Sequence, residues 1–184
     1  MRIGYGWDSH EFQTGVTLKI GGVSLPHDKG LAGHSDGDVL LHAITDALLG
    51  AVAAGDIGSY FPPTDAKWKG ADSVIFLEEA LKQVRLAGYA VSNVDSTLIL
   101  MEPKIVPHAK KIQARVAELL GVKPNQVGIK AKTPEGMGTD NAAIAHVAVL
   151  LEQVAKRPSP ASRKSANKKS TAKKNKTLKH RGKK

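Results

Sequence analysis

Residues 35–54, SDGDVLLHAITDALLGAVAA, set two carboxylates and a serine directly ahead of sixteen residues dominated by apolar side chains at helical spacing. Short oxygen-bearing side chains before an apolar periodic run mark a helix start, so a long buried helix is predicted from Val39. On its amino-terminal side Met1–Gly6 and Val16–Gly22 are short and β-rich, which predicts two strands separated by a polar turn and followed by a loop over Pro26–Gly33. On its carboxy-terminal side DSVIFLEEALKQVRLA (72–87) repeats apolar residues at three and four spacing and stops at Gly88, predicting a second helix. Val91–Met101 then reads as a strand, Pro103 and Pro107 bracket the entry to a helix ending near Leu120, Val127–Thr133 reads as a strand, and Asn141–Val154 as a last helix. The order ββααβαβα predicts an α/β domain, an α+β sandwich in which helices pack on a mixed four-stranded sheet. Chemistry is expected in its strand-to-helix loops.

The charge is divided unevenly along the chain. Of the 184 residues, 156–184 hold 13 Lys and Arg and no acid, while 1–155 hold 14 basic residues against 17 acidic ones, so the overall +10 becomes −3 over the first part. A single domain over 1–155 is expected, followed by a disordered basic tail over 156–184 whose few large apolar residues cannot offset chain entropy. Weak polyanion binding is the most that tail need do, although a dedicated nucleic-acid role stays open. No apolar run approaches the roughly 18–20 residues of a membrane span, and MRIGYGWDSHEF carries no secretory core, so a cytoplasmic protein is expected. With no cysteine, any metal must sit on His, Asp or Glu.

Asp8 and His10 are two apart at the end of the first strand, where a period of two turns both side chains to one face. His42, on the first turns of the predicted helix, could add a third ligand and leave an open position. By spacing alone the three are equally ordinary polar residues. Asp46, one turn on, either orients the His42 imidazole or is a solvated helix residue. Asp36 or Asp38 is explained by capping; His34 and Ser35 are not, and donors at a helix start suit a phosphate. Asp56 and Asp65, the carboxylates within GDIG and FPPTD, could bind sugar-like hydroxyls or be plain turn residues.

GYGWDSH (4–10), GLAGHSDGDVLLHAITDALLGA (30–51), GDIGSYFPPTD (55–65) and VDSTLILMEPKIVPH (94–108) occur in one order. Over residues 1 to about 154 the chain closely resembles the 2-C-methyl-D-erythritol 2,4-cyclodiphosphate synthases. The resemblance implies a phosphorus-oxygen lyase of non-mevalonate isoprenoid biosynthesis, which converts 4-diphosphocytidyl-2-C-methyl-D-erythritol 2-phosphate to the cyclic diphosphate and CMP. It implies Zn²⁺ on Asp8, His10 and His42, and Mg²⁺ or Mn²⁺ held in part by Glu135. His34 and Thr133 would stabilise the transition state. Asp8, His10, His34, Ser35, Asp56, Ile57, Gly58, Phe61 and Asp65 would bind the methylerythritol phosphate side. Leu100, Met101, Pro103, Lys104, Ile105 and Val106 would form the cytidine pocket, and Lys132, Thr133, Pro134 and Glu135 would also touch substrate. Without the resemblance, Lys104 is a solvated loop lysine. A homotrimer with active sites between subunits is implied as well.

The chain departs from the family pattern at three places. Lys132 stands where many relatives carry Thr, Pro63 where many carry Asp, and TPEGMGTDNAAIAH (133–146) is shortened and lacks a Gly-Arg-Gly-Glu-Gly element. An arginine expected near the diphosphate therefore has no counterpart, and Lys132 brings a charge without an arginine's bidentate fork. A relative that binds metal and nucleotide without turnover is the alternative class.

Overall fold

The structure, a computed structural model, describes residues 1–154; the expected basic tail lies outside the described residues. Strand β1 (Arg2–Thr14) opens the chain, followed by β2 (Lys19–Ile20), β3 (Val23–Ser24), β4 (Lys29–Leu31), helix α1 (Val39–Ala51), a single turn α2 (Ile57–Tyr60) and α3 (Ser73–Leu86). The rest is β5 (Tyr89–Ile99), α4 (Ala109–Leu120), β6 (Val127–Lys132) and β7 (Ala142–Gln153). The main sheet has the order β4-β1-β7-β5-β6, antiparallel throughout except for the parallel β5–β6 pair. It is thus mixed, as expected, but has five strands rather than four.

Two sequence expectations are corrected. Asn141–Val154 is not a helix: β7 is the strand between β1 and β5. Its alanines and leucines favour helix, but Ala143, Ala145, Val147, Val149 and Leu151 alternate as buried residues with partly covered or exposed ones, and two flanking strands satisfy its backbone on both sides. A strand apolar on both faces has no period that separates it from a buried helix. Val16–Gly22 is not a strand of the sheet either. Gly21 and Gly22, with φ of 63° and 73°, fold Lys19–Ile20 back on Val23–Ser24 as a small separate hairpin. β1 instead runs on to Thr14, so Asp8 and His10 lie within the strand rather than at its end.

α1 is buried on nearly every side, which explains its lack of a polar face. Its contact with β1 depends on two glycines. A Cβ built on Gly4 would lie 1.8 Å from the Ala47 carbonyl oxygen, and one on Gly6 would lie 2.0 Å from that of Ala43. Helix backbone therefore rests directly on strand backbone, which sets the first turn of α1 beside the second half of β1. Asp38, fully buried, caps α1 through the Leu41 N–H (3.0 Å) and also accepts from Gly21 N (2.8 Å) and Gly22 N (2.6 Å), fastening the hairpin to the helix start. α3 and α4 bury one stripe each, and Gly88 and Gly121 follow them at positive φ, as the sequence predicts. The other side of β1 carries Ile3, Tyr5 and Trp7, which are 75%, 62% and 51% exposed, so the β1 strip of that sheet face is apolar and bare in the single chain.

Candidate active site

Asp8 and His10 share the side of β1 that faces the helices, and α1 brings His42 over them. Asp8 Oδ2 lies 2.9 Å from His10 Nε2 and 2.9 Å from His42 Nδ1, and the two ring nitrogens are 3.0 Å apart. Burial would raise the Asp8 carboxyl, but hydrogen bonds and charge from His10 and His42 hold it well below the usual carboxylate range. Burial would lower the His10 imidazole; its bond to Asp8 outweighs that and moves it up. One carboxylate oxygen and two imidazole nitrogens form a nearly equilateral triangle. Two neutral imidazoles cannot both present lone pairs across 3.0 Å without something positive between them. Ligands on a tetrahedral ion with bonds of about 2.0–2.1 Å stand about 3.3 Å apart, close to what is seen. The donor set therefore fits a divalent cation, and among the described residues these three form a group that could hold one.

The outer contacts of the triad were not legible in the sequence. His42 Nε2 is 2.8 Å from Ser73 Oγ, at the start of α3, and 3.0 Å from Ser35 Oγ. Ser73 in turn donates to Asp36 Oδ1 at 2.5 Å, and Lys19 Nζ donates to Asp36 Oδ2 at 3.0 Å. Asp46 neither touches His42 nor points to solvent: half-buried, it accepts the Ile57 N–H at 2.8 Å and so anchors the GDIG loop to α1. The only cue to Ser73 is its place as second residue of the second predicted helix.

A cavity of about 250 Å³ opens on His10 and His42 of the triad. His10, His34, Ser35 and His42 give its polar side, Ile57 and Gly58 its rim, and Phe61, Trp68 and Phe76 an aromatic wall. Phe61 lies 4.5 Å from Phe76 and 4.8 Å from Trp68 between ring centroids. Asp56 and Asp65 do not line it. Asp56 caps α2 through Ser59 N and Oγ, and Asp65 caps the turn at Ala66–Trp68.

A second cavity, about 280 Å³, is lined by Leu100, Pro103–Val106, Ala131, Lys132, Thr133 and Glu135. Thr133 donates to the Glu135 carboxylate, and the Leu100 N–H donates to the Lys132 carbonyl at 3.1 Å, joining the ends of β5 and β6. Pro134 is buried and Met101 lines a different cavity beside Phe12. His34 and Thr133 thus belong to different cavities within one chain, and Glu135 is not part of the triad. The register explains the separation. His10 pairs with Ala143, and Ile99 with Ile144 and Lys132, so both cavities lie at the same end of the sheet. β1 and β6 are three strand spacings apart, about 14 Å.

The model of the YgbB family matches residues 1–152. A 2-C-methyl-D-erythritol 2,4-cyclodiphosphate synthase of Koribacter versatilis is 65% identical over 153 residues, covering 83% of this chain and 99% of its own. The protein of the same name from Moorella thermoacetica is 52% identical over 138 residues, 75% of this chain and 85% of its own. A solved synthase of that name in a CDP-bound form superposes with a TM-score of 0.78 at 40% identity, covering 82% of this chain and all of that one. With a family model matched along nearly all the described residues and relatives of this identity covered almost end to end, the chain belongs to the YgbB family.

Proposed function

We propose that this chain is a 2-C-methyl-D-erythritol 2,4-cyclodiphosphate synthase, a cyclising phosphorus-oxygen lyase whose unit is residues 1–155. Its substrate is 4-diphosphocytidyl-2-C-methyl-D-erythritol 2-phosphate. An oxygen of the 2-phosphate attacks the β-phosphorus, a new P–O bond closes the ring, and the bond from that phosphorus to the bridging oxygen breaks, so the electron pair leaves on CMP. The observation that carries this reading is the Asp8–His10–His42 triangle, two of whose residues line a cavity with polar and aromatic walls, in a YgbB-family chain.

Asp8, His10 and His42 would hold Zn²⁺, and Glu135 with substrate phosphate oxygens would hold Mg²⁺ or Mn²⁺, since a hard cation needs few protein oxygens when phosphates supply the rest. Bound divalent ions neutralise phosphate charge and hold its oxygens in place. The protein's own groups position the reactants. Ser35 Oγ accepts from His42 and keeps its proton for a phosphate oxygen, beside His34. Asp56, Ile57 and Gly58, anchored through Asp46, with Phe61 and Asp65, enclose the methylerythritol side. Leu100–Val106 take the cytidine, and Thr133 and Lys132 face the diphosphate. Lys132 supplies the positive charge that the shortened 133–146 loop lacks.

Two features support a homotrimer. The bare apolar strip Ile3–Tyr5–Trp7 would be covered by copies of the same chain, and the two half-sites, about 14 Å apart in one chain, would then complete each other between subunits. No helix among the described residues is long and apolar enough to cross a membrane, and a cytoplasmic location goes with this reading.

The test is phosphorus NMR of the protein with substrate and Mg²⁺, alongside Asp8→Ala. Cyclic diphosphate and CMP are expected from the wild type and not from the variant. Equal turnover by both would refute the site, and none by metal-loaded wild type would leave a binding protein.

A further inference from the structure

We propose that Ser73 is a positioning residue for His42, the last link of a hydrogen-bond chain from Lys19 through Asp36 that leaves the His42 Nδ1 lone pair facing Asp8 and His10. This rests on reading Asp8, His10 and His42 as a metal site.

Proton accounting along the chain makes it directional. Asp36 receives donors on both oxygens: Lys19 Nζ at 3.0 Å on Oδ2, and Ser73 Oγ at 2.5 Å, Ser73 N at 3.3 Å and Asp38 N at 3.4 Å on Oδ1. Burial would raise its carboxyl, but the bonds from Ser73 and Lys19 outweigh this and keep it below the ordinary range, so it is ionised. An ionised carboxylate has no proton to give, and a serine has one. Ser73 must spend that proton on Asp36, and its oxygen can then only accept from the His42 Nε2, 2.8 Å away. Nε2 therefore carries a hydrogen, shared with Ser35 Oγ at 3.0 Å, and once a cation displaces any proton held between Nδ1 and the Asp8 carboxylate, 2.9 Å away, the neutral ring presents its lone pair from Nδ1.

The helix does not need this hydroxyl. The cap of α3 is Asp72, whose side chain accepts the Val74 N–H at 2.9 Å. Yet Ser73 is completely buried, and its hydroxyl joins α3 to the loop that carries Ser35 and Asp36 and to the metal-side imidazole of α1. Outer-sphere partners of this kind fix the tautomer of a ligating histidine, and their loss typically costs about 10–100-fold in metal affinity.

The experiment combines nitrogen-15 NMR of histidine-labelled, zinc-loaded protein with zinc titration against a competing chelator. In the wild type the His42 signal is expected to be the Nε2–H tautomer; Nδ1–H there would overturn the proposal without any variant having to fold. Ser73→Ala is expected to mix the tautomers and weaken zinc binding about 10–100-fold. Ser73→Thr, which keeps the hydroxyl, should recover most of that loss. Asp36→Asn, whose amide can donate to Ser73 and free the serine proton for His42, should shift the ring toward Nδ1–H. Wild-type zinc affinity and an unchanged tautomer in folded Ser73→Ala would sink this inference alone, whereas a wild type that binds no zinc would sink the metal-site reading beneath it.

Discussion

Gly6→Ala should damage stability and the metal site together, because one contact serves both. The added Cβ would lie 2.0 Å from the Ala43 carbonyl oxygen and 2.7 Å from the Ala47 nitrogen, both backbone atoms of α1. No side-chain rotation relieves that, so the helix must move outward by about 1 Å or more to reach ordinary contact. Overpacking of this kind costs about 1–3 kcal/mol, or roughly 3–10 °C in Tm for a domain of this size. His42 adjoins Ala43, so the same shift would stretch its 2.9 Å approach to Asp8 toward about 4 Å, too far to share one ion. Gly50→Ala is the control: on the same helix its Cβ would meet nothing nearer than the Tyr5 carbonyl at 4.0 Å, and alanine is the better helix former by about 1 kcal/mol. Thermal unfolding and chelator-competition titration should show Gly6→Ala lowering both Tm and zinc affinity, and Gly50→Ala raising Tm with zinc affinity unchanged. Wild-type Tm and zinc affinity in Gly6→Ala would refute the claim that backbone contact places His42.

Lys132→Ala should raise KM and lower kcat together in steady-state CMP release, while Lys132→Arg keeps both near wild type; unchanged kinetics in the alanine variant would remove Lys132 from the diphosphate. Asp46→Ala leaves the Ile57 N–H without its partner, so KM should rise while zinc affinity, read by titration, stays at the wild-type level. The folded-state pKa of Asp36 lies below its unfolded one, so its contribution to stability is fully present above about pH 3.9 and is lost as the pH falls through the folded value. Wild-type Tm should accordingly drop more steeply below that pH than the Tm of Asp36→Asn. Trp7→Glu, on the bare face of β1, should shift the protein to monomer in light-scattering chromatography and abolish turnover with the triad intact; an active monomer would show that the half-sites need no partner.

The features legible in the sequence share one property: a local signal dictates them. The carboxylate cap before Val39, the glycines after α3 and α4, and the two-residue spacing of Asp8 and His10 act within a few residues, and the structure has them as read. β7 departs from the helix its sequence predicts because its strand state is imposed by β1 and β5, more than forty residues away at the nearer one, against a helix-favouring composition. The packing of α3 on α1 brings Phe76 to the cavity and Ser73 to His42, and the turn before α3 adds Trp68, which no spacing within 68–76 announces. Asp46 was open between two roles and took a third, since its partner is a backbone N–H eleven residues on.

What β7 does explains how a site divided between two cavities can be held at all. It pairs residue for residue with β1 from Arg2↔Leu151 to Glu11↔Ala142, and with β5 up to Ile99↔Ile144. The one irregularity of the β5–β7 ladder, at Val91–Asn93, lies at the far end of the sheet. At the end that carries the cavities the register is unbroken from His10 through Ala143 and Ile144 to Ile99 and Lys132. The triad half and the Lys132–Glu135 half are therefore fixed relative to each other by backbone hydrogen bonds, not by the loops that carry their chemistry. A one-residue slip of β1 would turn Asp8 and His10 to the bare face and Ile3, Tyr5 and Trp7 toward α1, where Gly4 and Gly6 leave no room for a side chain. The same glycines that admit the helix thus enforce the register that makes the metal triad.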